Sequence, residues 1–180
     1  MEQRTESVVL GGGCFWCTEA IFLRLRGVVS VLPGYAGGTA ADPTYREVSS
    51  GKTGHVEVVK FEYDPAQITF KDLLNVFFAT HDPTTMNQQG ADIGQQYKSV
   101  IFYTTDQQKK EAEVYLENLE KEGTFDNPVV TEIHPLDKFY VAEDYHQNYY
   151  ERNKDKNPFC QVVINPKLEK LRTKFAPLLK

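Results

Sequence analysis

Short apolar runs with alternating character are interleaved along the chain with stretches whose apolar residues recur every three or four positions. Val8-Val9-Leu10 predicts a buried strand over 7–10. A helix over 14–26 follows, closed by Gly27, and then strands over 28–35 and 55–63. Leu73, Leu74, Phe77 and Phe78 recur at helical spacing behind Thr69, a good cap, and predict a helix over 70–80. A strand over 97–103 precedes a helix over 106–122, which is capped by Asp106 and stopped by Gly123. A strand over 129–134 and a helix over 141–152 complete the pattern, and the residues from Asn153 on are expected to form a less regular tail on the surface. Through residue 103 the order is β-α-β-β-α-β, that of a split βαβ, ferredoxin-like unit. The expectation is a single α+β domain over 1–180, a two-layer sandwich with appended helices and an irregular tail over 153–180.

Length and composition fit one domain with a substantial core: 180 residues with a net charge of −5. The lysines are scattered rather than blocked, which argues against a nucleic-acid partner. No apolar run reaches membrane-spanning length. The N-terminus, MEQRTES, is polar and lacks the apolar core of a leader, so a cytoplasmic protein is expected, with a monomer as the default.

The chemistry starts at three glycines that run into Cys14-Phe15-Trp16-Cys17 directly after the first strand. A cysteine in the first turn of a helix lies near unpaired backbone N–H groups and the positive end of the helix dipole, and this setting favours the nucleophilic thiolate. The chain holds three cysteines, Cys14, Cys17 and Cys160. Three is an odd number and points away from a structural disulfide framework. The four histidines form no paired spacing with them, so no zinc site is expected. Period two places Glu57 on the strand face that carries Val59, Phe61 and Tyr63. A carboxyl there is desolvated and acts as a proton donor near neutral pH, unless as a strand-end residue it turns to solvent. The long loops 34–55 and 81–96 are expected to carry function. Tyr45, Tyr97 and Tyr145 lie in polar contexts, where a phenol can donate to a developing oxyanion or a sulfoxide oxygen. Asp92 is read either as a turn residue or as an orienting carboxylate. His146 is read either as a thiolate partner or as a satisfied, partly buried histidine.

Six segments together resemble the peptide-methionine (S)-S-oxide reductases, the A-type methionine sulfoxide reductases. They are Gly12-Gly13-Cys14-Phe15-Trp16, Pro43 to Val48, Thr53 to Glu57, Tyr63-Asp64-Pro65, Gln95-Gln96-Tyr97 and Glu143 to Gln147. The resemblance runs from residue 7 to about 150 and implies an α+β sandwich. It implies an enzyme that returns the S-epimer of methionine sulfoxide, free or in oxidised proteins, to methionine. Cys14 would be the nucleophile and Glu57 the acid. Tyr45 and Tyr97 would hydrogen-bond the sulfoxide oxygen, Asp92 would orient the site, and Phe15 and Trp16 would enclose the S-methyl group. No bound cofactor or metal is implied. A second thiol would convert the Cys14 sulfenic acid to a disulfide, and thioredoxin or another dithiol would reduce it. Cys160, swung in on the tail, is taken as the first resolving thiol, with Cys17 as the alternative or as a partner in series. The rivals are a thioredoxin-like disulfide oxidoreductase built on the Cys14-x-x-Cys17 motif, and a thiol-bearing sensor without turnover.

Overall fold

The structure is a computed structural model that describes residues 4–180; the first three residues of the polar N-terminus lie outside the described residues. A six-stranded sheet carries the fold. Its strands are β1 (Glu6–Gly11), β2 (Val28–Ala36), β3 (Val56–Tyr63), β6 (Val100–Tyr103), β7 (Glu132–Pro135) and β8 (Phe139–Val141), in spatial order β7-β6-β1-β3-β2-β8. A two-stranded ribbon of β4 (Gln88–Gln89) and β5 (Asp92–Ile93) lies in the loop after the second long helix. Only the β6–β7 pair is parallel. β3 is inserted between β1 and β2, and β1 between β3 and β6, so each helical crossover spans a strand that splits the pair it joins.

The central strands are apolar on both sides because both sides are covered. Val8 and Leu10 face the helices together with their partners across the register, Phe61 and Val59. Val9, Val56, Val58, Val100 and Phe102 form a smaller core on the opposite face, under Leu136 and Phe139. The helical layer consists of α1 (Phe15–Phe22), α3 (Phe70–Thr80), α4 (Asp106–Glu122), α5 (Tyr149–Asn153) and α6 (Asn165–Lys174), and a short α2 (Tyr45–Ser49) leads out of the long loop after β2.

Local chemistry sets the helix ends. Thr69 accepts from the Asp72 N–H while Asp72 reaches back to the Thr69 N–H, a reciprocal cap. Thr44 and Glu47 repeat the arrangement at α2. At α4 the cap is Thr105 rather than the expected Asp106, which is the first helical residue; the Thr105 hydroxyl accepts from the Gln108 N–H at 3.1 Å. Gly123 ends α4 with φ +59.

Four expectations need correction. α1 stops at Phe22, not at residue 26. The predicted strand over 97–103 starts later: a 3-10 turn covers Gln95–Tyr97, and the strand, β6, runs over Val100–Tyr103. The predicted helix over 141–152 is interrupted: β8 ends at Val141, a 3-10 turn covers Asp144–His146, and Asn148 adopts φ +54 before α5. The tail is neither irregular nor superficial. It holds a π-helical turn, Cys160–Ile164, then α6, and Cys160, Ile164, Leu168 and Leu171 are all 0% exposed.

Candidate active site

The site forms where β1 gives out. Val59 of β3 still pairs with Leu10, but two residues further on Glu57 faces the glycine turn and the start of α1 instead of a strand. Gly13 has φ +99, and a Cβ there would lie 2.5 Å from Gln89 Cγ, so only glycine lets the chain turn under the β4–β5 ribbon. Cys14 then caps α1 from an extended backbone, and Phe15, the first helical residue, donates its N–H to Glu57 Oε1 at 3.3 Å. The nucleophile candidate and the acid candidate are therefore brought together across 42 residues of sequence.

Glu57 is 1% exposed and shares its face with Val59, Phe61 and Tyr63, as the alternation predicts. Its second oxygen, Oε2, is buried and has no hydrogen-bond partner. Burial pushes the carboxyl up to about 8; the Phe15 N–H pulls against this, and the charges of Asp92 and Cys17 add to it. Glu57 is thus protonated at neutral pH, with one oxygen unoccupied.

Cys14 is half-buried and Cys17 is 3% exposed; both are free thiols, as is Cys160. Cys14 and Cys17 share a hydrogen bond. Burial holds the Cys14 thiol well above its ordinary value, and Cys17 and Glu57 push the same way. The Cys17 thiol is lowered, first by the bond from Cys14 and then, against burial, by the Lys167 ammonium. Desolvation and the charges of Cys17 and Glu57 oppose the helix terminus at Cys14.

The aromatic wall is built from α1 and the 143–149 segment. Phe15 is 0% exposed and packs against Tyr35, Tyr45 and His146, with ring centroids 5.7, 6.4 and 4.9 Å away. Trp16, half-buried, stacks on Tyr149 at 3.7 Å with 5° between planes, meets Phe159 edge-on, and donates its indole N–H to His146 Nδ1 at 2.9 Å. Of the two predicted wall residues, Trp16 is half-buried, whereas Phe15 is fully buried with its ring stacked on that of Tyr45. His146 is not among the groups that act on the Cys14 or Cys17 thiol, and its buried Nε2 has no hydrogen-bond partner. It is fully buried, its Nδ1 is taken by Trp16, and burial lowers its pKa.

Tyr45 is half-buried, and its phenol is pushed up to about 12 by burial and by the charges of Glu57 and Cys14. Tyr97 stands on the 3-10 turn tied to the start of β3 by Gln95, whose amide donates to the Gly54 carbonyl at 2.9 Å. Burial raises its phenol too, and Glu57, Tyr45, Asp92 and Cys14 all reach it. Asp92 starts β5, beside the cleft, and burial raises its carboxyl while Lys167 opposes this. Tyr145 is 52% exposed at the rim and donates to Glu143 Oε2 at 3.4 Å. Cys14, Trp16, Tyr45, Glu57, Asp92 and Tyr97 thus converge on one place. Cys160 does not: it is enclosed in the core, with Cys17 the neighbour whose charge reaches it.

The sequence reading left three supporting residues without a role. Tyr35 pairs with Glu57 across β2–β3 and donates its hydroxyl to Glu143 Oε1 at 2.8 Å. Glu143 Oε2 accepts the Tyr45 backbone N–H at 2.8 Å, so one carboxylate fixes both tyrosines. Glu19 of α1, 3% exposed, accepts the backbone N–H groups of Asn148 and Tyr149, and burial pushes it up to about 7. Glu143 sits inside a recognised segment, and that was its only signal. Glu19 lies three residues after Trp16, on the same helix face. Among the described residues no group of three or more His, Cys, Asp or Glu side chains is placed to hold a metal ion, and no helix is long and apolar enough to cross a membrane.

Comparison with known proteins agrees with this geometry. The family model described as peptide methionine sulfoxide reductase matches residues 6–178. The peptide methionine sulfoxide reductase MsrA of Chromobacterium violaceum is 53% identical over 97% of this chain and 98% of its own length. That of Deinococcus radiodurans is 51% identical over 97% and 84%. Among solved structures, methionine sulfoxide reductase A of Corynebacterium diphtheriae superposes with a TM-score of 0.76 at 39% identity, covering 85% of this chain and 77% of that one. Mxr1 of Saccharomyces cerevisiae has been solved in complex with Trx2; in that form it covers 83% of this chain and 87% of its own, at 29% identity and a TM-score of 0.55. A buried acid set against a helix-capping cysteine, within a chain matched from end to end, leaves one assignment: this protein belongs to the peptide methionine sulfoxide reductase family, as an oxidoreductase of the MsrA type that reduces methionine sulfoxide.

Proposed function

We propose that Cys14 attacks the sulfur of methionine S-sulfoxide while Glu57 protonates the oxygen. The observation that carries this reading is the buried Glu57, whose unpartnered Oε2 lies beside the N-terminus of the helix that Cys14 caps and whose carboxyl burial pushes up to about 8. A sulfoxide sulfur becomes electrophilic as its oxygen gains a proton. Cys14 bonds to that sulfur as the thiolate, its own proton having left to solvent, and Glu57 gives its proton to the oxygen. The adduct collapses to methionine and Cys14 sulfenic acid, leaving Glu57 ionised. Tyr45 and Tyr97, both held protonated, donate hydrogen bonds to the oxygen as charge builds on it. Trp16 and Tyr149 offer the apolar surface for the methyl group.

The hydrogen bond between Cys14 and Cys17 favours Cys17 as the first resolving thiol, ahead of Cys160. Cys17 attacks the sulfenic sulfur, its proton leaves with the hydroxyl as water, and a Cys14–Cys17 disulfide forms. Cys160, enclosed behind Cys17, joins only by later exchange. A thioredoxin then reduces the disulfide by exchange; the Mxr1–Trx2 complex of a structural relative supports this donor.

The test is a thioredoxin-coupled assay with separated S and R epimers of N-acetylmethionine sulfoxide. Turnover confined to the S epimer is expected. Equal turnover of R, or no turnover with thioredoxin, overturns the corresponding part of the reading.

A further inference from the structure

The aromatic wall beside Cys14 is made of two pieces that do not belong to the same element. Trp16 is on α1, while Tyr149, stacked on it at 3.7 Å, opens α5. A stack between two mobile pieces has little value as a pocket wall, because a misplacement of about an ångström costs heavily in binding and orientation. The structure shows what fixes the second piece. Glu19 lies three residues after Trp16, on the same face of α1. Its Oε2 accepts the Asn148 N–H at 2.9 Å and its Oε1 the Tyr149 N–H at 3.2 Å. Asn148 is one of three non-glycine residues with positive φ among the described residues, at +54. That conformation turns the chain from the His146 turn into α5 and aims both N–H groups at one carboxylate. From the other side, the Asn157 amide donates to the Tyr149 hydroxyl at 2.7 Å, so the ring is held at both ends.

We infer that Glu19 is a positioning residue for substrate binding: by gripping the Asn148 and Tyr149 backbone it holds the Tyr149 ring against Trp16 and keeps the methyl-binding wall in place. It touches no reacting atom. A buried carboxyl on a catalytic helix invites a role as a proton carrier, but both of its oxygens are occupied by main-chain donors, whereas Glu57 keeps one oxygen free. This inference rests on the assignment of Trp16 to the substrate pocket.

Trp16 is the only tryptophan of the chain, so its fluorescence reports the stack directly. In Glu19→Gln the amide matches the carboxyl in volume, but its NH2 group meets one of the two N–H donors. Leaving such a buried donor unpaired is worth about a tenfold change in an equilibrium. The expected result is an emission maximum shifted to the red, a KM for the S-sulfoxide raised about tenfold, and a kcat changed by less than about twofold. Tyr149→Leu removes the stack but leaves the Glu19 bonds intact. If Glu19 acts through Tyr149, the double variant has the KM of Tyr149→Leu alone. Additive effects on KM, or a loss confined to kcat, overturn the inference. Should Glu19→Gln not fold, amide exchange in the unmodified protein decides: slow exchange at Asn148 and Tyr149 is expected, and exchange at the rate of an unprotected chain refutes the grip. The fluorescence and exchange readouts need no turnover, so a failure of the reductase reading leaves them interpretable.

Discussion

At the scale of single residues, the site is an exercise in withholding water. Strand period put Glu57 on the face of Val59, Phe61 and Tyr63 but left open whether, near the strand end, it turned to solvent; the structure buries it. What it does there depends on a partner that pattern does not reveal: the Phe15 N–H takes one oxygen and leaves the other free. Two outcomes follow. Cys14→Ser abolishes reduction, since an alcohol cannot pass through a sulfenic acid, and a single-turnover assay of methionine formation checks it. Glu57→Gln folds but loses about 10²–10⁴ of the rate, the usual worth of a placed general acid. In the unmodified protein the rate falls as pH rises through about 8, because only the protonated acid works; in Glu57→Gln that falling limb is absent. A pH–rate profile that keeps the same limb in the variant assigns it elsewhere. At Cys14 residue-level reading sees one side of a balance. A helix N-terminus is visible in sequence, whereas the desolvation that opposes it arises from the packed surroundings.

At the scale of elements, the glycine turn into α1 and the capped α3 were legible because turn chemistry and caps are local. The stretch from 139 onwards was not, because its shape is imposed from outside. β8 exists by pairing with β2, and the 148–149 turn is fixed by a carboxylate about 130 residues earlier in the chain. In the tail the signal was present and went unused: Ile164, Leu168 and Leu171 follow helical spacing, and all are buried. The tail's enclosure also orders the thiols. With Cys17 hydrogen-bonded to Cys14 and Cys160 sealed in the π-helical turn, oxidation of Cys160→Ser by substrate yields a Cys14–Cys17 disulfide at the unmodified rate. Cys17→Ser instead accumulates trapped sulfenic acid, because Cys160 reaches Cys14 only after α1 and the turn part. Mass spectrometry after dimedone labelling distinguishes the two, and an adduct found in Cys160→Ser but not in Cys17→Ser reverses the order.

At the scale of the whole molecule, the buried carboxyl proposed as the proton donor is a burden on the fold, and pH exposes it. An unfolded glutamate titrates near its ordinary value of 4.5, while folded Glu57 titrates near 8. Between those values the folded chain binds more protons than the unfolded one, so stability falls as pH rises. The contribution is fully present below pH 4.5 and is lost once pH passes about 8. Each pH unit in that window removes roughly 1.4 kcal/mol, and the total is on the order of 5 kcal/mol. Glu19, raised to about 7, adds to the same slope over a narrower range. A domain of this size has a total stability of about 5–15 kcal/mol, so the effect is large enough to measure. Glu57→Gln carries no charge at any pH, and its amide oxygen still accepts the Phe15 N–H. Urea denaturation at pH 6 and pH 9 therefore separates the two proteins: the unmodified chain loses stability between these points, the variant loses less, and at pH 9 the inactive variant is the more stable. Parallel losses in both would mean that Glu57 is hydrated in the folded state, and the proton-donor role would fail with that finding.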